Sequence, residues 1–231
     1  MRKLFIIYYT LVEFFFHIPR IKKYLKFNIF LKKPIIFDIG SHEGKMVKLF
    51  FEVYKNAKIH CFEPNKLLIK KLIKLKKKNL FINNNAVGKI EQIKKINFNE
   101  IDLTSTLAQV NQSSLYLNFK NFIIGKEKSV SKNFTRVITL DAYCKKKYIS
   151  NIDLIKIDVE GYEYMVLLGS KNIIKKSKYI IIEIQKNNMY KNYSIKKIEN
   201  FLKKNNFHLM KSFSFPFMFF QDRLYRNKNI N

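Results

Sequence analysis

Asn151–Ser170 reads NIDLIKIDVEGYEYMVLLGS, and this stretch decides the fold. Ile152, Leu154, Ile155 and Ile157 make the short apolar run that a strand buried on both faces requires. Asp158, Glu160 and Glu163 then gather around Gly161, after which Tyr164, Val166, Leu167 and Leu168 take up a helical pattern. The order is strand, acidic turn, helix. Open α/β sheets bind their ligands at the carboxyl ends of such strands, and three carboxylates there point to a ligand site.

The same alternation repeats on either side. Pro34–Ile39 is a short apolar strand, Gly40–Gly44 a loop and Lys45–Tyr54 a helix. Lys58–Phe62 is a second strand ending at Glu63-Pro64, and Asn65 can cap the helix that follows. Leu80–Ile82, Arg136–Ile138 and Tyr179–Gln185 read as further strands, Leu140–Tyr148 and Ser194–Asn205 as helices. Residues 89–133 are polar and weakly patterned, and read as short strands and an irregular insertion. Phe207–Phe213 and Phe217–Tyr225 read as a hairpin turning near Pro216, with Phe213, Phe215, Phe217 and Phe219 at period two as core. Alternating strands and helices imply parallel pairing with right-handed crossovers. The expected class is α/β: a Rossmann-like, seven-stranded, mostly parallel sheet with helices on both faces and a C-terminal antiparallel hairpin. Residues 34–231 form that domain, and residues 1–33 a helical extension.

In the extension, Leu4 to Ile18 is apolar except for Thr10, Glu13 and His17, and is too short to span a bilayer. No small-residue cleavage site follows, so it does not read as a signal peptide. On a helix, Lys3, Thr10, Glu13, His17 and Arg20 fall in one polar stripe. Two readings are open: a helix packed on the domain or on a dimer partner, and a peripheral membrane helix over residues 1–26 with Arg20, Lys22, Lys23 and Lys26 near anionic headgroups. Pro19 is expected to end or kink it. The expected location is the cytoplasm, including the inner membrane surface.

The net charge of +28 invites a nucleic-acid reading, but only five of the 45 basic residues are arginine. Phosphate and base readers favour the arginine fork. The abundance of Lys, Ile, Asn, Phe and Tyr is what an AT-rich coding sequence yields, with the lysines on solvated helix faces. Lys66, Lys70, Lys74 and Lys77 form one such stripe. Cys61 and Cys144 have neither metal-ligand nor disulfide spacing, and no metal site is expected.

The chemistry-bearing residues sit at strand ends. In Asp38-Ile39-Gly40-Ser41-His42-Glu43-Gly44, Gly40 permits a tight turn and Gly44 lets a helix begin beside it, so a ligand can approach the backbone N–H groups. The spacing is DxGxxxG, not the GxGxxG of dinucleotide sites, and Glu43 would repel a pyrophosphate. A cationic ligand fits better. Glu63, 25 residues after Asp38, can accept both hydroxyls of a ribose or serve as a cap acid. Asn84 or Asn85, after the third strand, can read an adenine edge or simply form a polar turn.

Taken in order, DIGSHEG, CFEPN, NNAVG, TLDAYC, KIDVEGYE and IIIEIQ make the chain resemble the FkbM family of methyltransferases, a class I S-adenosylmethionine-dependent fold. The resemblance covers roughly Pro34 to Gln185, with Lys156–Glu163 as its most distinctive block. Ser41-His42-Glu43 stands where the family commonly has Ala-Asn and an aliphatic residue. The resemblance implies that Asp38 and Gly40, with Ser41, His42 and Gly44 in the same loop, hold the methionine part of S-adenosylmethionine. Glu63 would hold the ribose, and Asn84 or Asn85 the adenine. It further implies O-methylation of a hydroxyl on a sugar, glycan or small molecule, with no specific nucleic-acid partner. Asp158 is the first candidate for the base; Glu160 and Glu163 are alternatives that bind substrate or hold the loop, and Lys156 pairs with one of the acids. The rival for the acidic cluster is a structural network at a helix start.

Base-directed amino methyltransferases use an Asp/Asn-Pro-Pro-aromatic element, and the four prolines here are all isolated. Cytosine-C5 enzymes need a cysteine typically preceded by proline, whereas His60 and Tyr143 precede the two cysteines. A ribose 2′-O methyltransferase, and a catalytically silent cofactor-binding protein at a membrane or glycan-assembly site, stand as the alternatives.

Overall fold

The computed structural model describes residues 2–99, 105–124, 129–215 and 220–230. Its first element is one helical run: α1 (Arg2–Val12), a π-helical turn (Glu13–His17) and α2 (Ile18–Asn28). Then come β1 (Ile35–Ile39), α3 (Lys45–Val53), β2 (Lys58–Phe62), α4 (Lys66–Ile73), β3 (Leu80–Asn83), β4 (Ala86–Val87), β5 (Gln92–Asn99) and β6 (Ser105–Thr106). The chain continues through α5 (Leu115–Ile124), β7 (Ser129–Ile138), α6 (Leu140–Lys146), β8 (Ile152–Ile157) and α7 (Glu163–Leu168). It closes with β9 (Ser177–Gln185), α8 (Ile195–Lys204), β10 (Phe207–Ser214) and β11 (Phe220–Asn227).

The principal sheet has seven strands in the order β10-β11-β9-β8-β1-β2-β3. β3, β2, β1, β8 and β9 run parallel, while β11 pairs antiparallel with both β9 and β10. This is the expected Rossmann-like arrangement, and the apolar runs of β1, β8 and β9 are buried because helices cover both faces. On one face Ile155, Ile157, Ile180 and Ile182 pack with Val166, Leu167, Ile198 and Leu202 of α7 and α8. On the other, Ile36, Ile59, Leu154 and Ile181 pack with Val47 and Phe50 of α3 and with Ile21 and Leu25 of α2. Asn65 and Ser194 cap α4 and α8 through their side chains, as their sequence positions imply.

The described parts of residues 89–133 contain strands, and these build a sheet of their own. β5, β6 and β7 join β4 in a second sheet of order β4-β7-β5-β6, and Arg136–Ile138 is only the end of the ten-residue β7. The period-two signal is blurred because Ile93 and Phe134 are exposed apolar residues on strands otherwise rich in lysine, while Ile96 and Val137 are buried. Pro19 does not end the helix. Ile18 N–H bonds the Glu13 carbonyl five residues back, and Pro19 lies in the first turn of α2, where a missing N–H costs little. In the terminal hairpin Phe213 and Phe215 are buried; Phe217, Phe219 and the turn at Pro216 lie outside the described residues.

The amino-terminal helix therefore shares the core of the sheet. Leu25 is fully buried, and Leu25→Ala is expected to destabilise the whole protein by about 2–5 kcal/mol. Urea unfolding followed by circular dichroism checks this; an unchanged midpoint would mean that α2 contributes nothing to the fold.

Candidate functional site

The carboxyl ends of β1, β2, β8 and β9 open into one cavity of about 620 Å³. At least eight of the chain's 17 acidic residues line it. Asp38, Glu43 and Glu63 come from the β1 and β2 ends, Asp158 and Glu160 follow β8, and Glu183, Asp222 and Glu13 complete the set. Lys45, Lys71 and Lys156 also line it and pair with Glu13, Glu43 and Asp158, so carboxyl groups outnumber lysines in the cavity even in a chain of net charge +28, which suits a cationic ligand.

On the β1 side, Gly40 is forced by both conformation and space. Its φ is +84°, and a Cβ there would lie 1.7 Å from the Asp158 carbonyl oxygen, so the loops after β1 and β8 touch backbone to backbone. Gly44, at φ +79°, precedes α3, and a Cβ there would press Leu72 at 2.8 Å. The Ser41 hydroxyl donates to the Asp38 carbonyl, and His42 N–H donates to Glu63 Oε2 at 3.0 Å. Asp38 itself is buried, and its Oδ2 has no hydrogen-bond partner. Burial, with Asp158 nearby, pushes its carboxyl up to about 7, while Lys156 and Ser41 oppose the rise. An incoming ammonium would satisfy that orphaned oxygen.

Glu63 is buried and raised by burial above the usual carboxylate range, against the N–H donors of Asn65 and His42. Its Oε1 accepts from Asn65 N–H at 2.8 Å and from the Ser105 hydroxyl at 3.4 Å. A carboxylate offers about four lone-pair sites. The two N–H bonds leave two for a diol, with the long Ser105 contact the one to be displaced. Asn84 and Asn85 separate. Asn84 donates its amide to the carbonyls of Glu63 and Pro64 and fixes that turn, whereas Asn85 lines the cavity. Of the two, Asn85 is thus the one placed to meet an adenine, while the Asn84 amide N–H groups are spent on the turn.

On the β8 side, Lys156 is buried and reaches Asp158 Oδ2 at 3.0 Å and Asp222 Oδ1 at 3.1 Å. Burial works against its charge, but Asp158, Asp222 and Glu183 outweigh it and raise its pKa. Asp158 lines the cavity with 36% of its side chain exposed. Glu160 lines it too, accepts from the Tyr190 hydroxyl at 2.6 Å, and has φ +53°, a left-handed conformation that side chains rarely adopt. The adjacent Gly161 has no room for a Cβ, which would lie 2.4 Å from the Tyr190 ring. Glu163 is placed differently from Asp158 and Glu160. It is fully buried outside the cavity lining, and its Oε1 accepts the N–H groups of Val159 and Gly161. It braces the loop that presents Asp158 and Glu160.

Several site residues escape sequence reasoning. Glu183 stands within an isoleucine run and Asp222 in the terminal hairpin, both buried. Burial opposes ionisation of Asp222, yet Lys156 and His17 hold its carboxyl down at about 2. His17 Nε2 lies 2.8 Å from Asp222 Oδ2, and Tyr9 stacks on Phe215 with ring centroids 5.0 Å apart. Glu13 pairs with Lys45. The amino-terminal helix thus lays its polar stripe along the cavity, with Tyr9, Thr10, Glu13 and His17 in the lining. A carboxylate inside an all-apolar strand was the one signal that could have found Glu183.

The residues present fit S-adenosylmethionine: an unpartnered buried oxygen on Asp38 for its ammonium, spare acceptors on Glu63 for its ribose, and Asn85 toward its base. Comparison with known proteins agrees. Residues 38–209 match the family model described as "Methyltransferase FkbM domain". A curated relative, "2-O-methyltransferase NoeI" of Sinorhizobium fredii (strain NBRC 101917 / NGR234), is 25% identical over 170 residues, which are 68% of this chain and 65% of the relative. The chain thus spans slightly less than two thirds of that relative's length. Among solved structures, magnesium protoporphyrin IX methyltransferase (ChlM) from Synechocystis PCC 6803 with bound SAM is 10% identical, with a TM-score of 0.51 over 91% of this chain and 78% of that one. An uncharacterized Listeria monocytogenes serotype 4b protein also gives 0.51 at 10% identity, over 92% of this chain and 67% of that one. At such identities the likeness is one of fold.

The bracing role of Glu163 has a pH signature. Burial pushes its carboxyl from about 4.5 up to about 8. The unfolded chain releases this proton near pH 4.5 while the folded protein keeps it, so its contribution to stability falls as pH rises through about 8. Glu163→Gln keeps an acceptor and loses the titration. Relative to the parent, its stability should improve by on the order of 3 kcal/mol between about pH 5 and pH 8, as read by urea midpoints across pH. Parallel profiles would show that Glu163 is ionised in the fold.

Proposed function

The chain belongs to the FkbM methyltransferase family, whose methyl donor is S-adenosylmethionine, and from that premise we propose that it methylates a hydroxyl oxygen of a sugar, glycan or related small molecule. The observation that carries this reading is Asp158: a carboxylate at the end of the central strand, open to the cavity and anchored from below by a buried lysine. The name of the Sinorhizobium relative, a 2-O-methyltransferase, supports oxygen as the acceptor.

S-adenosylmethionine, when bound, supplies a methyl group already activated on a cationic sulfonium. The chain's own residues hold and orient. Asp38 would hold the ammonium and Glu63 the ribose diol, with Glu63 fixed by the N–H groups of His42 and Asn65. Carboxyl-rich walls favour binding of a positively charged donor. Holding an acceptor oxygen in line with the methyl carbon can be worth roughly 7–11 kcal/mol. Asp158 takes the proton from the acceptor hydroxyl, a contribution of roughly 10²–10⁴ in rate. Lys156 fixes the orientation of Asp158, and because Lys156 also bonds Asp222, it stays in place when Asp158 turns toward substrate. Glu160, tied to Tyr190, offers a second acceptor for neighbouring hydroxyls of a polyol.

Two substitutions separate cofactor from chemistry. Glu63→Gln keeps the shape but replaces a charge-assisted acceptor, and S-adenosylmethionine affinity by calorimetry should fall roughly 10- to 100-fold. Unchanged affinity would overturn the cofactor placement. Asp158→Asn should bind S-adenosylmethionine like the parent yet lose roughly 10²–10⁴ in methyl transfer to sugar hydroxyls. Normal turnover would remove Asp158 as the base.

A further inference from the structure

The amino-terminal helix buries polar groups and exposes apolar ones. Two members of its polar stripe turn inward, His17 buried against Asp222 and Glu13 paired with Lys45 at the cavity, while Lys3, Thr10 and Arg20 are exposed. Its apolar face turns outward, and Leu4, Ile7, Leu11, Phe14, Phe15 and Phe16 are 48–71% exposed. α5 lies against α1 and repeats the pattern, with Leu115, Phe119 and Phe122 spaced at i, i+4 and i+7 and 57–81% exposed. Two adjoining helices with apolar stripes in solvent exceed the scattered single hydrophobics of an ordinary surface.

We infer that α1 and α5 form a docking face for an anionic lipid bilayer, into which their apolar stripes insert. Charge selects this occupant. Along the same helical run the exposed residues become basic, with Arg20, Lys23 and Lys26 beside the exposed Phe27. Aromatic and aliphatic residues adjoining lysine and arginine are the composition of an interfacial helix, in which cations meet anionic headgroups while the apolar face enters the acyl boundary. A second copy of the chain is a poorer occupant. Each copy carries +28, and a two-fold interface would set these lysines against their own equivalents. The attachment is peripheral: among the described residues no helix is long and apolar enough to cross a membrane.

Vesicle flotation of the full chain tests this without reference to catalysis. Vesicles of phosphatidylcholine with about one-third phosphatidylglycerol should bind at least about tenfold more protein than phosphatidylcholine alone. The pair Phe14→Glu and Phe15→Glu, outside the cavity lining, should reduce that binding at least about tenfold. S-adenosylmethionine affinity should be unchanged, which reports the fold. If that pair impairs folding, Phe119→Glu with Phe122→Glu on α5 makes the same test. Equal binding to both vesicle types overturns the inference, and so does anionic binding that ignores the substitutions, since bulk charge would then suffice. A dimer in sedimentation equilibrium that the substitutions dissociate, with no vesicle binding, overturns it in favour of a second copy.

Discussion

The structure is organised around one buried ammonium. Lys156 sits near the end of the central strand β8, beside Asp38 in the parallel register, and is closed off from solvent. A charge in that position is tolerable only when paired. Its partners are one neighbour and one residue distant in the chain: Asp158 two residues on, and Asp222 from the terminal hairpin. His17 then closes on the far oxygen of Asp222. The central strand, the antiparallel edge and the amino-terminal helix are thus tied at one point, at the ligand end of the sheet. Removing one partner of such a group leaves an uncompensated charge and costs roughly 3–5 kcal/mol. The network that presents Asp158 to the cavity is therefore also one that holds three parts of the fold together.

What could be read from the chain divides along the same lines. β1, β2, β8 and β9 were legible because strands buried on both faces are near-continuously apolar, as IIFDI, IHCF and YIIIEI are with one polar residue each. Gly40, Gly161 and Glu63 were legible because a tight turn or an acid at a strand end has few alternative causes. The second sheet was not. Only parts of β5 and β7 enter a core, and exposed Ile93 and Phe134 break the alternation on which strand reading depends. The His17–Asp222 contact joins residues 205 apart, and no local pattern encodes a pairing at that separation. Asn84 and Asn85 were indistinguishable as letters; only the turn they follow decides which amide is spent on backbone carbonyls and which faces the cavity.

Charge is segregated in a way that composition conceals. The chain's +28 sums an exposed lysine coat and an acidic interior site. Lys66 and Lys70 of α4 lie in solvent, whereas the acids converge at the strand ends, where they outnumber the lining lysines Lys45, Lys71 and Lys156. A low-dielectric cavity strengthens their effect. The cavity thus suits a cationic ligand, while the outer coat is basic.

The π-helical turn reconciles these two demands on one helix. Five residues, Glu13–His17, are wound with i→i+5 bonding, as in the bond from Ile18 N–H to the Glu13 carbonyl. The wider turn accommodates one extra residue and rotates everything after it relative to everything before. Beyond it, α2 turns Ile21 and Leu25 into the core against α3. Before it, α1 brings Tyr9 and Thr10 to the cavity, which leaves Leu4, Ile7 and Leu11 facing out. An uninterrupted α-helix would carry one face along its whole length and could not serve a hydrophobic core at one end and an acidic cavity at the other. The outward apolar stripe is thus a geometric consequence of lining the site with polar groups, and it places any surface bound to that stripe one helix diameter, roughly 10 Å, from the cavity wall.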